Sequence, residues 1–266
     1  MYLLKLYLLI NYMNLFLNQQ FNWETHAISS LNEYKNLIKV ASMLYLPVIF
    51  ALKSLKLKFK LNYTFMLWNS FLALFSIIGT IILGSGLIKK LYENGVDYTI
   101  CNNDYQNNSL LSRFVYYFII SKLYELGDTI FICLKDGQLI FLHWWHHIVT
   151  LLYAWESGLL TRSSGLYFSA INYCIHSIMY SYYAIYTYTK IFPGKKLNLV
   201  LGLILKHKKL ITVLQILQMF IGLYVSLIYS TNCDKEVDYM GIVMYGIYFI
   251  LFVKHFINMI YKSKNS

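Results

Sequence analysis

The chain has 266 residues, of which 58% are hydrophobic and only 13% charged, a balance that excludes an ordinary soluble domain. Two prolines and 13 glycines are too few for many short strands, so long helices are expected. The net charge of +11 would suit nucleic acid, but the lysines fall in short clusters between apolar runs, where they read as topology signals; no nucleic-acid partner is expected.

In chain order, residues 1–17 are apolar but carry Lys5, Asn11 and Asn14, with no small-residue cleavage site after them. A helix lying along the bilayer interface is expected here, an eighth span being the alternative. It would belong to an N-terminal lumenal segment, residues 1–35. Seven spans follow, at about 36–53, 64–85, 113–134, 139–157, 163–188, 209–230 and 237–260, each near the roughly 20 residues that a bilayer core demands. They are read as one all-α integral membrane domain, 36–260, with a short tail, 261–266.

Charge asymmetry orients the spans. With the C-terminus in the cytosol, the cytosolic connections and tail hold thirteen cations against one acid, Asp136, while the opposite side holds eight cations and nine acids. Seven crossings then place the N-terminus outside. Cys101 and Cys233 fall in the second and sixth connections, both lumenal, and a disulfide between them is expected; Cys133 and Cys174 lie within spans. The sequon Asn107-Asn108-Ser109 is on the same side.

Polar residues interrupt four of the spans. The third contains SKLYELGDT, with Lys122, Glu125 and Asp128 three apart on about one third of a helix surface, where opposite charges can pair. Asp128 and Thr129 go beyond such a pair, since an acid and a hydroxyl can orient an imidazole on the next helix. That helix carries FLHWWHHIVT, with His143, His146 and His147 within about a 100° arc. A zinc-protease helix would need Glu where Trp144 stands. A metal-dependent lipid desaturase or hydroxylase would need more histidines, so metal-free acid/base and nucleophilic work is the stronger reading. The fifth span reads INYCIHSIMYSYY, where Asn172, His176, Tyr180 and Tyr183 follow a helical stripe; the sixth opens TVLQILQ, with Thr212, Gln215 and Gln218 at a three-residue step. By helical rise, Asp128, His143, His147, Gln215 and Gln218 all lie on the order of 10 Å or less from the cytosolic ends of their spans, with His176 at roughly 18 Å. One pocket open to the cytosol is expected, its lysine-rich mouth suited to an anionic ligand such as a nucleotide phosphate. A seven-span transporter or receptor would not need three histidines on one turn.

With these four motifs in order, KLYELGDT (122–129), HWWHH (143–147), NYCIHSIMYSYY (172–183) and TVLQILQ (212–218), the chain resembles the ELO-type fatty acid elongases over roughly residues 36–264. The resemblance implies a seven-helix protein of the endoplasmic reticulum, six helices ringing a narrow acyl-chain tunnel. It implies an acyltransferase, a very-long-chain 3-oxoacyl-CoA synthase, that condenses a long-chain acyl-CoA with malonyl-CoA and releases CO2 and CoA. Neither metal nor cofactor is implied. The ketoreductase, dehydratase and enoyl reductase of the elongation cycle, and a second copy of the chain, are the protein partners to expect beside the lipid bilayer. Lys262 and Lys264 occupy the minus-five and minus-three positions of a dilysine retrieval signal. Lys254 and His255, by contrast, interrupt a stretch that is normally apolar and aromatic.

The residues then suggest roles. His146 is the expected nucleophile and His176 its partner in proton handling or malonyl activation, with His143 and His147 as orienting or acid/base groups. Asp128 is expected to hold an imidazole tautomer, supported by Glu125 and Lys122, which are themselves counted among the expected substrate-binding residues. Asn172, Gln215 and Gln218 are expected to donate hydrogen bonds to the thioester oxygen, and Tyr180 and Tyr183 to contact substrate.

Overall fold

A computed structural model describes residues 20–194, 208–233 and 236–264. The expected interfacial helix (1–17) and the loop lysines Lys195, Lys196 and Lys206 lie outside these residues. Among the described residues the fold is all helical. A π-helical turn, Trp23–Ile28, leads into α1 (Ser29–Ser54). Then come α2 (Asn62–Asn94), a short α3 (Val96–Cys101), a 3-10 turn at Asp104–Asn107, α4 (Ser109–Leu134), α5 (Phe141–Leu159), α6 (Gly165–Ile191), α7 (Lys208–Asn232) and α8 (Tyr239–Lys264).

Four segments are long and apolar enough to cross a bilayer by length and composition: Trp23–Ser54, Asn62–Asn94, Lys209–Asn232 and Tyr239–Tyr261. The other three expected spans, α4, α5 and α6, are helices of 26, 19 and 27 residues. Their composition is less apolar because they carry most of the buried polar groups.

Two segment boundaries differ from the sequence reading. Of the segment 1–35, the described residues 20–35 are not separate from the bundle, since Trp23, Ala27 and Leu31 are buried and extend the inward stripe of Ile38, Tyr45 and Ile49. Trp155 Nε1 on α5 donates to the Leu31 carbonyl at 3.1 Å. The tail 261–266 likewise begins inside α8.

The helices pack in a closed circuit, α2 against α6, α6 against α7, α7 against α8, α8 against α5, α5 against α4 and α4 back to α2, with α1 laid against α4 and α5. The α2–α6 contact is the longest. It is made close by Gly79, where an added Cβ would stand 2.6 Å from the Tyr173 ring. Large apolar side chains such as Met43, Leu67, Phe71, Ile81 and Ile250 cover the outside, while Lys122, Glu125, Asp128 and His176 are buried. This inverted distribution is what a hydrocarbon solvent favours.

One end of the circuit is fastened covalently and by polar contacts. Cys101 and Cys233 form a disulfide, with Cα atoms 5.2 Å apart. Asn108 caps α4, accepting from the amides of Leu110 and Leu111 at 3.1 and 3.0 Å. Ser163 Oγ donates to the Ile100 carbonyl and Tyr105 OH to that of Arg162. Asp238, one of the nine acids counted on the side opposite the cytosol, is fully buried. It pairs with Arg162 Nη1 at 3.0 Å and accepts from Tyr153 OH at 2.6 Å and the Gly241 amide at 3.0 Å. At the other end, Lys53 pairs with Asp136 and the Phe59 amide donates to the Leu134 carbonyl, joining the first and third connections.

A histidine-lined cavity within the helix circuit

The helix circuit encloses a cavity of about 750 Å3 towards the Lys53–Asp136 end. Its wall takes one side chain set from each long helix except α1. Asp128 comes from α4, His143, His146 and His147 from α5, and Asn172, His176, Tyr180 and Tyr183 from α6. Thr212, Gln215 and Gln218 come from α7, and Phe252 and His255 from α8. Helical spacing explains the convergence, since residues three or four apart share a face.

Asp128 is clamped. Its Oδ1 accepts from Trp68 Nε1 at 2.6 Å and its Oδ2 from Tyr180 OH at 2.7 Å. His147 Nε2 stands 4.0 Å from Oδ2, beyond hydrogen-bond reach. The carboxylate expected to fix an imidazole tautomer is thus engaged with an indole and a phenol, because α2 and α6 bring those donors nearer.

The three α5 imidazoles meet edge to face, His143 to His147 at 4.5 Å and His146 to His147 at 5.5 Å between ring centroids. His146 also lies 5.0 Å from the Tyr248 ring. Tyr248 OH donates to the His146 carbonyl at 3.1 Å and shares a hydrogen bond with Thr150 Oγ1. His143 Nε2 is buried without a hydrogen-bond partner among the described residues. Among the described residues, no group of three or more His, Cys, Asp or Glu is placed to hold a metal ion.

Lys122 and Glu125 do not line the cavity, although the sequence suggested substrate contact. They form a buried pair behind its wall, Lys122 Nζ donating to Glu125 Oε1 at 2.7 Å and to Asn172 Oδ1 at 2.8 Å. Two charges facing an apolar chain would be costly, whereas pairing lowers the penalty of burial. With its oxygen held by Lys122, Asn172 keeps its amide N–H groups for other acceptors. Gln215 rests its amide on Met179 Sδ at 3.4 Å, and Gln218 is buried in the wall.

Sequence reasoning missed the contribution of α2. Trp68 and the buried Asn69 belong to the most apolar of the four segments long and apolar enough to cross a bilayer, and an Asn inside such a span was a legible signal. Tyr248 on α8 was missed as well, being one of 26 tyrosines with nothing to single it out. At the mouth, Lys135 Nζ lies 4.4 Å from the Phe65 ring and Lys190 Nζ 4.5 Å from the Tyr186 ring. Both lysines line the cavity.

The family described as ELO, GNS1/SUR4, matches residues 30–266. The chain is 34% identical over 250 residues to a human protein named very long chain fatty acid elongase 6, a match covering 90% of this chain and 89% of that one. A Drosophila melanogaster protein of the same name is 35% identical over 210 residues, 75% of this chain and 63% of its own length. A Caenorhabditis elegans protein named putative fatty acid elongase 3 is 34% identical over 238 residues, 85% of this chain and 71% of its own.

Proposed function

The chain belongs to the ELO family, an enzyme family of fatty acid elongation, and from that premise we propose that it catalyses the condensation of a long-chain acyl-CoA with malonyl-CoA. The observation that carries the reading is that His146 and His176, from different helices, line one cavity together with amide donors and no charged side chain but Asp128 beyond its lysine mouth. That is a setting for a neutral imidazole to act as nucleophile and another as proton carrier.

In the first step a His146 ring nitrogen attacks the thioester carbon and the C–S bond breaks. His176 takes up the proton from the acylated imidazole and passes it to the departing sulfur, so that CoA leaves as the thiol. Asn172 and Gln218 donate to the thioester oxygen as its charge grows, with Gln215 in a lesser part. In the second step malonyl-CoA loses CO2 and its enolate carbon attacks the acyl-imidazole. The C–N bond breaks, a proton from solvent returns by way of His176 to His146, and 3-oxoacyl-CoA is released. His143 and His147 orient the α5 turn, Asp128 holds α2, α4 and α6 in register around it, and Tyr180 and Tyr183 border the substrate.

The same reading makes all seven long helices membrane spans, six of them around an acyl tunnel. The protein would sit in the endoplasmic reticulum with the disulfide end lumenal and the C-terminus cytosolic. A disulfide suits the oxidising side, and Lys135 and Lys190 suit the CoA phosphates on the other. Acyl-CoA, malonyl-CoA and the remaining enzymes of the cycle are the proposed partners. Iron-dependent lipid oxidation is disfavoured by family membership.

The test is purified protein with labelled malonyl-CoA and a panel of acyl-CoAs, read as 3-oxoacyl-CoA, with intact-mass detection of acyl-enzyme. His146→Ala should abolish both signals. Persistent acylation of that variant would overturn the nucleophile.

A further inference from the structure

Behind the cavity wall, Glu125 is placed to act on the chemistry without touching substrate. Its Oε1 accepts from Lys122 Nζ at 2.7 Å and from Ser121 Oγ at 3.2 Å. The Lys122 ammonium also lies 4.2 Å from the Phe118 ring centroid, so the pair is enclosed on its far side. From α6, His176 Nδ1 approaches Oε1 to 3.6 Å, the nearest approach of any cavity imidazole to a carboxylate in the structure. Glu125 Oε2 is buried and has no hydrogen-bond partner among the described residues. About 0.6 Å of further approach between Nδ1 and Oε1 would complete a hydrogen bond, and the open Oε2 leaves the carboxylate free to turn without giving up another partner.

We propose that Glu125 is a positioning residue for the condensation: its carboxylate fixes His176 as the Nδ1–H tautomer and leaves Nε2 as the nitrogen that carries the proton. The nitrogen that works in an imidazole is set by the hydrogen bond made by the other. Lys122 is then the counter-ion that keeps the carboxylate charged in a dry interior, and its bond to Asn172 ties the same unit to α6. Asp128 is less suited to this part because its nearest imidazole, His147, stands 4.0 Å away and Trp68 and Tyr180 already hold the carboxylate in place. The inference rests on the acyl-imidazole reading above, in which His176 moves the proton to the leaving sulfur.

Two charge-neutral double variants test it, since neither strands a buried charge: Lys122→Met with Glu125→Gln, which keeps an acceptor for Nδ1–H, and Lys122→Met with Glu125→Leu, which does not. Each is acylated with hexadecanoyl-CoA and, separately, with the hexadecanoyl ester of 4-nitrothiophenol, whose thiolate leaves without a proton. The Leu variant should acylate about 10- to 100-fold more slowly than wild type with the CoA donor. With the nitrothiophenyl donor the Leu and Gln variants, which share the loss of the Lys122–Asn172 bond, should acylate at the same rate, whereas with the CoA donor the Gln variant should recover much of the loss. A merely structural defect slows the Leu variant below the Gln variant with both donors alike, and that result overturns the proposal. Should the variants fail to fold, nitrogen NMR of 15N-histidine-labelled wild type, assigned by difference from His176→Gln, reads the tautomer directly: an unprotonated Nε2 supports the assignment and an unprotonated Nδ1 overturns it. A wild type that never acquires an acyl group sinks the acyl-imidazole reading instead.

Discussion

Trp68 Nε1 donates to Asp128 Oδ1 at 2.6 Å and thereby ties the second helix to the third expected span inside the apolar interior. A hydrogen bond to a charged, buried acceptor contributes about 1.5–3 kcal/mol, and little water is present to replace it. Trp68→Phe should lower thermal stability in detergent by that amount, and Tyr180→Phe, which removes the donor to Oδ2, by a similar one. Calorimetry of the two single variants and the double would show it. Unchanged unfolding temperatures would mean that Asp128 is held by something else.

The ease of reading differed between residues. Lys122, Glu125 and Asp128 were conspicuous because charge in an apolar run is rare, and their helical spacing predicted a shared face. The spacing did not say which face of that stripe would reach the cavity. Asp128 lines it while Lys122 and Glu125 lie behind, a distinction that depends on how α4 packs in the circuit and not on spacing along it. Trp68 and Tyr248 were hidden for the opposite reason: an aromatic residue in a membrane helix is ordinary until its polar atom finds a partner. Asp238 misled because a charge at the very edge of an apolar run resembles a loop charge, whereas Arg162 and Tyr153 draw it inside.

That buried pair yields a second prediction. Removing one partner of a buried ion pair leaves an uncompensated charge and costs about 3–5 kcal/mol. Asp238→Asn should therefore destabilise strongly, and Arg162→Met combined with Asp238→Asn should recover most of the loss. Yield and thermal stability in detergent report both. A double variant as weak as the single would show that Arg162 is needed for more than charge.

The disulfide offers a third. Cys101 and Cys233 are 132 residues apart, so the crosslink closes a large loop and is worth up to about 5 kcal/mol on the chain-entropy model, more usually 2–4. Changing both cysteines to Ser should lower stability by that order while leaving KM for the acyl donor close to wild type, since the bridge is at the opposite end from the histidine cavity. A large change in KM with intact folding would show that this end communicates with the site.

Lys135 and Lys190 supply the last, at the mouth of the cavity. Partial burial holds the Lys135 ammonium below the ordinary lysine range, and repulsion from Lys190 lowers it further. Two like charges are kept near each other at the mouth, an arrangement that an anionic ligand would relieve. Lys135→Gln with Lys190→Gln should raise KM for both CoA substrates on the order of tenfold, equivalent to about 1.4 kcal/mol, with kcat little changed. The sign of the pH effect follows from the depressed Lys135. As pH rises it loses its proton earlier than a free lysine would, so KM should climb before bulk lysines titrate. In Lys190→Gln the repulsion is gone, the Lys135 proton is held to higher pH, and the onset of that climb should move upward. Steady-state kinetics at constant ionic strength separates the cases; an onset that stays put in Lys190→Gln would mean that the two ammonium groups do not share one ligand.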